Sequence, residues 1–556
     1  MAWLYLCLVG LVPCLSLASP VFTANTKKIN VDLVSFLGEL RNFIHTFIQD
    51  QVRSLISSRV KDGLHELRSK LAAKNNVSLN EQSSVGLSPG RNFDQLKQEN
   101  QTTNESQSES EGIPSIPLIN SQSSISEGLY QSDIILTDDQ IDQMLENMED
   151  GSNSTRQKRQ AVNRYIANLW TDGLVYSFAS SASISVNLLA QQIQHISDSL
   201  MKKAFLLGVD FWESNTCIDF RESNTARDRV ELFSGDGCYS FISKVGRKQE
   251  LSLGHGCETY GVATHELGHA LGYFHTQSRH DRDKHIKLNT DNIDPELIDQ
   301  FDKQSKYTND NLAEPYDYGG IMHYGASSGS IQEGKFTMVP LKRQYIVTIG
   351  TPIPAFYDKK MMNILYDCME LCTKSDHKKC KNGGYAHPRN CAECVCPDGY
   401  GGKNCTTRPD GCGNEIQATS EWKLHKISIR KDLSGVSTDD IYMLMPEECI
   451  YWFRSPKGTK VQARSYTIST PSSDSAFAYG CMLGFVEFKS RADPAVTGPR
   501  ICNDAYDPIR TFKSTKNLMI VRSVTTLSYL TAYIEVRYGM LSFSFLQQRT
   551  KVSDQA

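Results

Sequence analysis

Between Ala263 and Asp283 the sequence reads ATHELGHALGYFHTQSRHDRD, placing His265, Glu266, His269, Gly272 and His275 in the pattern H-E-x-x-H-x-x-G-x-x-H. Residues four apart share one face of an α-helix, so His265 and His269 can aim their imidazoles at one Zn²⁺ while Glu266 points at the water bound to it. The same helix cannot supply a third ligand. Gly272 tolerates the positive φ that stops a helix, so the chain can turn there and return His275 to the metal. Three histidines leave a fourth position for water, which is the coordination plan of a catalytic rather than a structural zinc. Glu266 is then the general base and Zn²⁺ the single cofactor of the unit.

About fifty residues later comes Tyr316-Asp317-Tyr318-Gly319-Gly320-Ile321-Met322-His323-Tyr324. This stretch resembles the Met-turn of metzincins, which runs beneath the metal ligands. Taken together, HELGHALGYFH, the following Arg279-His280-Asp281-Arg282-Asp283, and IMHY resemble the astacin family of zinc endopeptidases over roughly Tyr165 to Cys368. The resemblance implies a further role for Tyr324, two residues after the methionine: a zinc ligand at rest that swings away to stabilise the transition state. It also implies disulfides Cys217–Cys368 and Cys238–Cys257, whereas the four cysteines alone permit three connectivities. One position departs from the family, which usually carries Glu directly after the third histidine; Thr276 stands here.

The elements that must position these residues read as α+β. Trp170 to Phe178 resembles the opening strand of an astacin domain. Leu189, Ile193, Ile196 and Leu200 repeat at helical spacing and predict a helix packed on the sheet. Further strands are expected around Cys217–Phe220, Val230–Phe233 and Cys238–Val245. The last resembles the rim strand that pairs with extended substrate in the family.

Upstream, apolar residues recur at helical spacing from Val31 to about Leu71, predicting one or two amphipathic helices. Ser, Gln, Asn and Glu dominate from about Asn75 to Ser126, a composition that buries too little apolar surface to order the chain. Leu129-Tyr130-Gln131-Ser132-Asp133-Ile134 resembles the astacin prosegment motif F-x-G-D, whose aspartate fills the open zinc position; Tyr130 and Ser132 replace Phe and Gly. A short acidic helix, Thr137 to Glu149, should follow. Arg156-Gln157-Lys158-Arg159 is a dibasic site of the kind furin-like convertases cut, which would start the mature chain at Gln160.

Beyond the peptidase, six cysteines from Cys372 to Cys405, ending C-V-C-P-D-G-Y-G-G-K-N-C, look like an EGF module without a calcium signature. From Cys412 to about Tyr538 short apolar and aromatic runs broken by Ser, Gly and Pro suggest a β-sandwich. With Cys412, Cys449, Cys481 and Cys502 this part resembles a divergent CUB domain.

Composition bounds the setting. With 556 residues the chain exceeds one core, and 59 basic against 63 acidic residues give a net charge of -4, which argues for no nucleic-acid partner. The 16 cysteines and the sequons at Asn76, Asn100, Asn104, Asn153 and Asn404 fit a secretory route. The apolar run Trp3–Leu17 with Ser16 and Ala18 predicts a signal peptide cut after Ala18 and no membrane span.

The expected order is therefore signal peptide 1–18, prosegment 19–159, astacin-like peptidase 160–368 with two halves around a zinc cleft, EGF-like module 369–406, CUB-like sandwich 412–538 and tail 539–556. That order is like the arrangement of nematode astacins. The expected activity is secreted, extracellular hydrolysis of protein or peptide substrates after activation by a furin-like protease. EGF and CUB would add matrix contacts.

Overall fold

The computed structural model describes residues 56–75, 115–149, 168–179, 188–306, 308–332, 334–433, 445–470, 480–502 and 511–540. The expected signal segment, the helical pattern before residue 56, the dibasic motif, four of the five sequons and the tail lie outside them. The fifth, Asn404, is exposed.

Helix α1, Ser58–Lys74, starts where the Ser57 hydroxyl accepts from the Val60 N–H, and it buries Val60, Leu64, Leu67 and Leu71 along one stripe. Helix α2, Ile116–Ser121, and a 3-10 turn at Ser126–Gly128 correct the expectation that residues up to Ser126 lack structure. There Ile116, Ile125 and Leu129 are buried. Asn120, also buried, accepts from the Cys238 N–H at 2.8 Å and donates to the Ser132 carbonyl at 2.7 Å. A few buried apolar residues and one saturated amide thus order a segment that is polar on average. Strand β1, Ile134–Ile135, and helix α3, Asp138–Glu149, follow.

One six-stranded sheet carries the centre of the molecule. After β2, Leu174–Phe178, the long helix α4, Leu188–Asn215, crosses to β3, Phe220–Glu222, then β4, Arg229–Phe233, β5, Cys238–Phe241, and β6, Lys248–Leu253. Spatial order is β1-β5-β6-β4-β2-β3, parallel except between β5 and β6. The sequence reading placed β3 two to three residues early, ran β5 on to Val245 and missed β6. Ser243 takes φ 65° and ends β5, so the chain can turn back into β6.

Helix α5, Tyr260–Ala270, packs on α4 through Val262, Ala263 and Leu267 against Phe205, Val209 and Trp212. The Trp212 indole donates to the Thr264 carbonyl at 3.0 Å. The pair β7, Ile286–Leu288, and β8, Met338–Pro340, and helix α6, Phe356–Leu365, complete the second half. Both implied disulfides form, Cys217–Cys368 and Cys238–Cys257.

Helix α7, Lys374–Lys379, and the hairpin β9, Tyr385–His387, with β10, Asn390–Val395, are cross-linked by Cys372–Cys391, Cys380–Cys394 and Cys396–Cys405. The remaining strands are β11 (Glu415–Gln417), β12 (Lys423–Arg430), β13 (Glu447–Arg454), β14 (Thr459–Ser469), β15 (Gly484–Lys489), β16 (Arg500–Ile501), β17 (Thr511–Lys513), β18 (Leu518–Thr525) and β19 (Tyr529–Met540). They form two sheets, β11-β13-β18-β15-β16 and β12-β19-β14-β17, enclosing a core that includes Phe453, Val461, Phe488 and Ile534.

This sandwich is docked on the catalytic half. Val347 and Ile353 pack with Leu483, Phe485 and Val524. The Asp317 carboxylate accepts from the Thr497 N–H at 3.1 Å and hydroxyl at 3.0 Å. No described helix is long and apolar enough to cross a membrane.

Candidate metal centre and catalytic site

Helix α5 begins at Thr259, whose hydroxyl accepts from the Val262 N–H, and it is buried along its whole length. His265 and His269 therefore leave the same face into a closed space. Gly272 takes φ 112°, and the chain turns there to bring His275 alongside them. The His265 Nε2 lies 3.1 Å from the His269 Nε2 and 3.3 Å from the His275 Nε2.

The opposite ring nitrogens explain that convergence. Each Nδ1 faces a carbonyl-type oxygen and so must donate: His265 to the Ile321 carbonyl at 2.9 Å, His269 to the Tyr273 carbonyl at 2.6 Å, His275 to the Gln131 side chain at 2.9 Å. A neutral imidazole has one proton, so all three Nε2 lone pairs point inward. Burial also pushes the His275 ring down to about 4, against the opposing pull of Asp133, which keeps it neutral. Three facing lone pairs repel unless a cation sits among them. This donor set fits zinc.

Asp133 enters the same space from the N-terminal segment. Its Oδ2 is 3.1 Å from the Nε2 atoms of His265 and His275, and its Oδ1 is 3.4 Å from that of His269. The Tyr324 hydroxyl donates to the same carboxylate and to the Gln131 carbonyl. Asp133, His265, His269 and His275 form a fully buried group able to hold one metal ion. Ser132 occupies φ 76° and Gln131 φ 52°; a glycine would take the first at little cost, and Ser132 holds it because the flanking residues are pinned.

Glu266 is fully buried, and neither carboxylate oxygen has a hydrogen-bond partner among the described residues. Burial, then the Asp133 charge, hold its carboxyl well above the ordinary range. A buried carboxylate without donors is costly, so its place is explained by a water or cation between it and the histidines. Met322 lies below: its Sδ would stand 2.9 Å from a Cβ on Gly268, so a larger residue on that helix face would make the methionine shift.

Two buried ties steady this floor. The Asp358 carboxylate on α6 accepts from the Ile321 N–H at 2.9 Å, and the Ile321 carbonyl holds His265. Burial pushes Asp358 up to about 7. Arg279, 2% exposed, pairs with Asp281 and donates to the carbonyls of Glu314 and Pro315, joining the H-D-R-D stretch to the approach of the Met-turn.

The structure thus brings together His265, Glu266, His269, His275 and Tyr324, all singled out in the sequence, and sets Asp133 among them. Sequence reasoning missed Gln131, Asp358 and the Asp317–Thr497 contact. None carries a spacing signal, since each partner is brought in by the fold from 37 to 180 residues away.

The profile of the astacin peptidase family matches residues 180–367. Zinc metalloproteinase nas-31 of Caenorhabditis elegans is 36% identical over 532 residues, covering 92% of this chain and 79% of that protein. The chain belongs to the astacin family. Zinc metalloproteinase nas-32 of the same organism is 34% identical over 391 residues, 70% of this chain and 55% of that protein. Among solved structures, High choriolytic enzyme 1 of Oryzias latipes, a hatching enzyme zinc-protease, is 33% identical over 35% of this chain and 91% of that one, with a TM-score of 0.30. This astacin is a zinc metalloendopeptidase, and zinc is its cofactor.

Proposed function

We propose that the chain is a secreted zymogen in which His265, His269 and His275 hold the zinc, Glu266 is the general base, Tyr324 stabilises the oxyanion, and Asp133 blocks the site until the prosegment is removed. The observation that carries this reading is the Asp133 carboxylate lodged among the three Nε2 atoms and bonded by Tyr324.

Bound zinc supplies Lewis acidity, polarising a carbonyl and lowering the pKa of a water toward about 7. The residues do the rest. With Asp133 gone, Glu266 faces the attacking water with two free oxygens, takes its proton and returns it to the leaving amine. Tyr324 loses its acceptor and turns its hydroxyl to the oxygen that gains charge as the carbonyl becomes tetrahedral. The histidine Nδ1–H bonds to the Ile321 and Tyr273 carbonyls survive removal of the prosegment, so two of three rings keep their orientation.

Seven disulfides among the described residues support an oxidising, extracellular setting. The 1–3, 2–4, 5–6 pairing from Cys372 to Cys405 supports an EGF-like module at 369–406. The two sheets with Cys412–Cys449 and Cys481–Cys502 support a CUB-like module at 412–538. Both offer surfaces for matrix contacts. A furin-like protease cutting after Arg159 starts the mature chain at Gln160 and frees the peptidase, residues 160–368, from its prosegment with the EGF-like and CUB-like modules still attached; the product acts on extracellular proteins or peptides.

The test is peptide hydrolysis by purified proform before and after treatment with a furin-like protease, with Arg159→Ala as control. Activity should appear only after cleavage and vanish with a zinc chelator. Equal activity before and after would overturn the zymogen reading.

A further inference from the structure

We infer that the pocket filled by Tyr130 is a substrate side-chain subsite built for a lysine or arginine, with Asp302 and Asp299 as the groups that recognise the cation. The inference rests on the proposal that the segment carrying Tyr130 and Asp133 leaves on activation.

Tyr130 is fully buried, three residues before the blocking Asp133. On the other side of Asp133, Ile134 and Ile135 lie along β5 in parallel register. The chain turns back tightly over Gln131–Asp133, Tyr130 and Ile134 exchanging both backbone hydrogen bonds, so Tyr130 sits beside Ile134 and fills a pocket next to the metal position, where its neighbour Gln131 meets His275 and Tyr324. At the bottom of that pocket the Tyr130 hydroxyl donates to the Asp302 Oδ2 at 2.8 Å and accepts from the Gln304 Nε2 at 2.6 Å. The pocket is thus long enough for a tyrosine and ends in a carboxylate. Beside it, Asp299 accepts from the Arg68 Nε at 3.0 Å and from the Gln131 N–H at 2.8 Å. A guanidinium already sits on this acid.

Among the described residues, the hydrogen bonds to these two carboxylates come from residues 68, 130 and 131. Arg282 of the catalytic half is near, but its guanidinium is engaged with Asp283 and with the carbonyls of Gln277 and Phe301. Gln300, fully buried, donates to the Ser132 hydroxyl, and its Oε1 has no partner among the described residues. Departure of the segment therefore leaves two acids and two amides, from one stretch of residues 299–304, facing a pocket without their donors. Buried carboxylates in that state are costly, and a substrate ammonium or guanidinium at the pocket floor replaces what was lost. An acidic substrate side chain is repelled.

The test uses the chain processed to Gln160, matched for bound zinc, and peptides identical except for Lys, Arg, norleucine or Glu at one of three positions on each side of the cleaved bond. At one position Lys and Arg should exceed norleucine in kcat/KM by about tenfold or more, with Glu poorest. The double variant Asp299→Asn/Asp302→Asn should bring that ratio close to one, while Asp302→Glu retains it. The ratio is internal to each preparation, so a general loss of activity does not mimic the effect. Processed Glu266→Ala chain should likewise bind the Lys peptide more tightly than the norleucine peptide, a readout that needs no turnover. A flat ratio at all six positions, or a preference that survives the double substitution, overturns the inference. Hydrolysis of the norleucine peptide before and after processing separately reports the zymogen reading.

Discussion

Replacing Asp133 by alanine in a proform that cannot be cleaved is the perturbation the site geometry speaks to most directly. The side chain accepts a buried bond from Tyr324 and stands about 3 Å from two ring nitrogens. Hydrogen bonds to a charged group contribute about 1.5–3 kcal/mol each, so loss of the carboxylate removes roughly 2–4 kcal/mol from the closed state. What remains is the backbone: the Asp133 carbonyl still accepts from the Ser240 N–H, and β1 still pairs with β5. An open population raised by roughly 30- to 1000-fold follows, at 1.4 kcal/mol per tenfold. The assay compares Arg159→Ala with Arg159→Ala/Asp133→Ala on a quenched fluorescent peptide at matched zinc. A double variant as silent as its parent would refute the reasoning and assign latency to steric cover by Tyr130 and β1.

Three further outcomes are expected. Thr497→Val removes the hydroxyl donor from the buried Asp317 carboxylate and should lower stability by about 1–3 kcal/mol, read as a shifted denaturant midpoint. Asp358, pushed up to about 7 by burial, binds its proton more tightly folded than unfolded; its stabilising contribution is full below about pH 4 and is lost as pH rises through 7, and Asp358→Asn should flatten that slope in pH-dependent denaturation. Thr276, buried and uncharged, offers no carboxylate to a buried α-amino group, so processed chains beginning at Gln160, at Ala161 or two residues earlier should agree in kcat/KM within about tenfold.

The metal motif was legible because helical geometry converts spacing into a shared face: His265 and His269 at i, i+4 needed no knowledge of the rest of the chain. Gly272 announced the turn that returns His275. The long helix α4 and the stripe of α1 were legible for the same reason, since period 3.6 survives without tertiary context. Strand edges were not, because residues such as Ser243 end a strand through a backbone conformation that composition does not mark. The order in 115–126 was hidden by polar averages, although Asn120 alone satisfies groups on both Cys238 and Ser132. Gln131, Asp317 and Asp358 act through partners far along the chain, and only folding makes them neighbours.

The central claim is that three histidines hold the zinc while Glu266 moves the proton. It is tested most directly by measuring bound zinc and peptide hydrolysis on the same preparations of processed parent chain and processed Glu266→Ala. One zinc per chain in both, with hydrolysis lost by about a thousandfold or more in the variant, is the predicted result. Loss of zinc together with activity, or hydrolysis kept without the carboxylate, would contradict it.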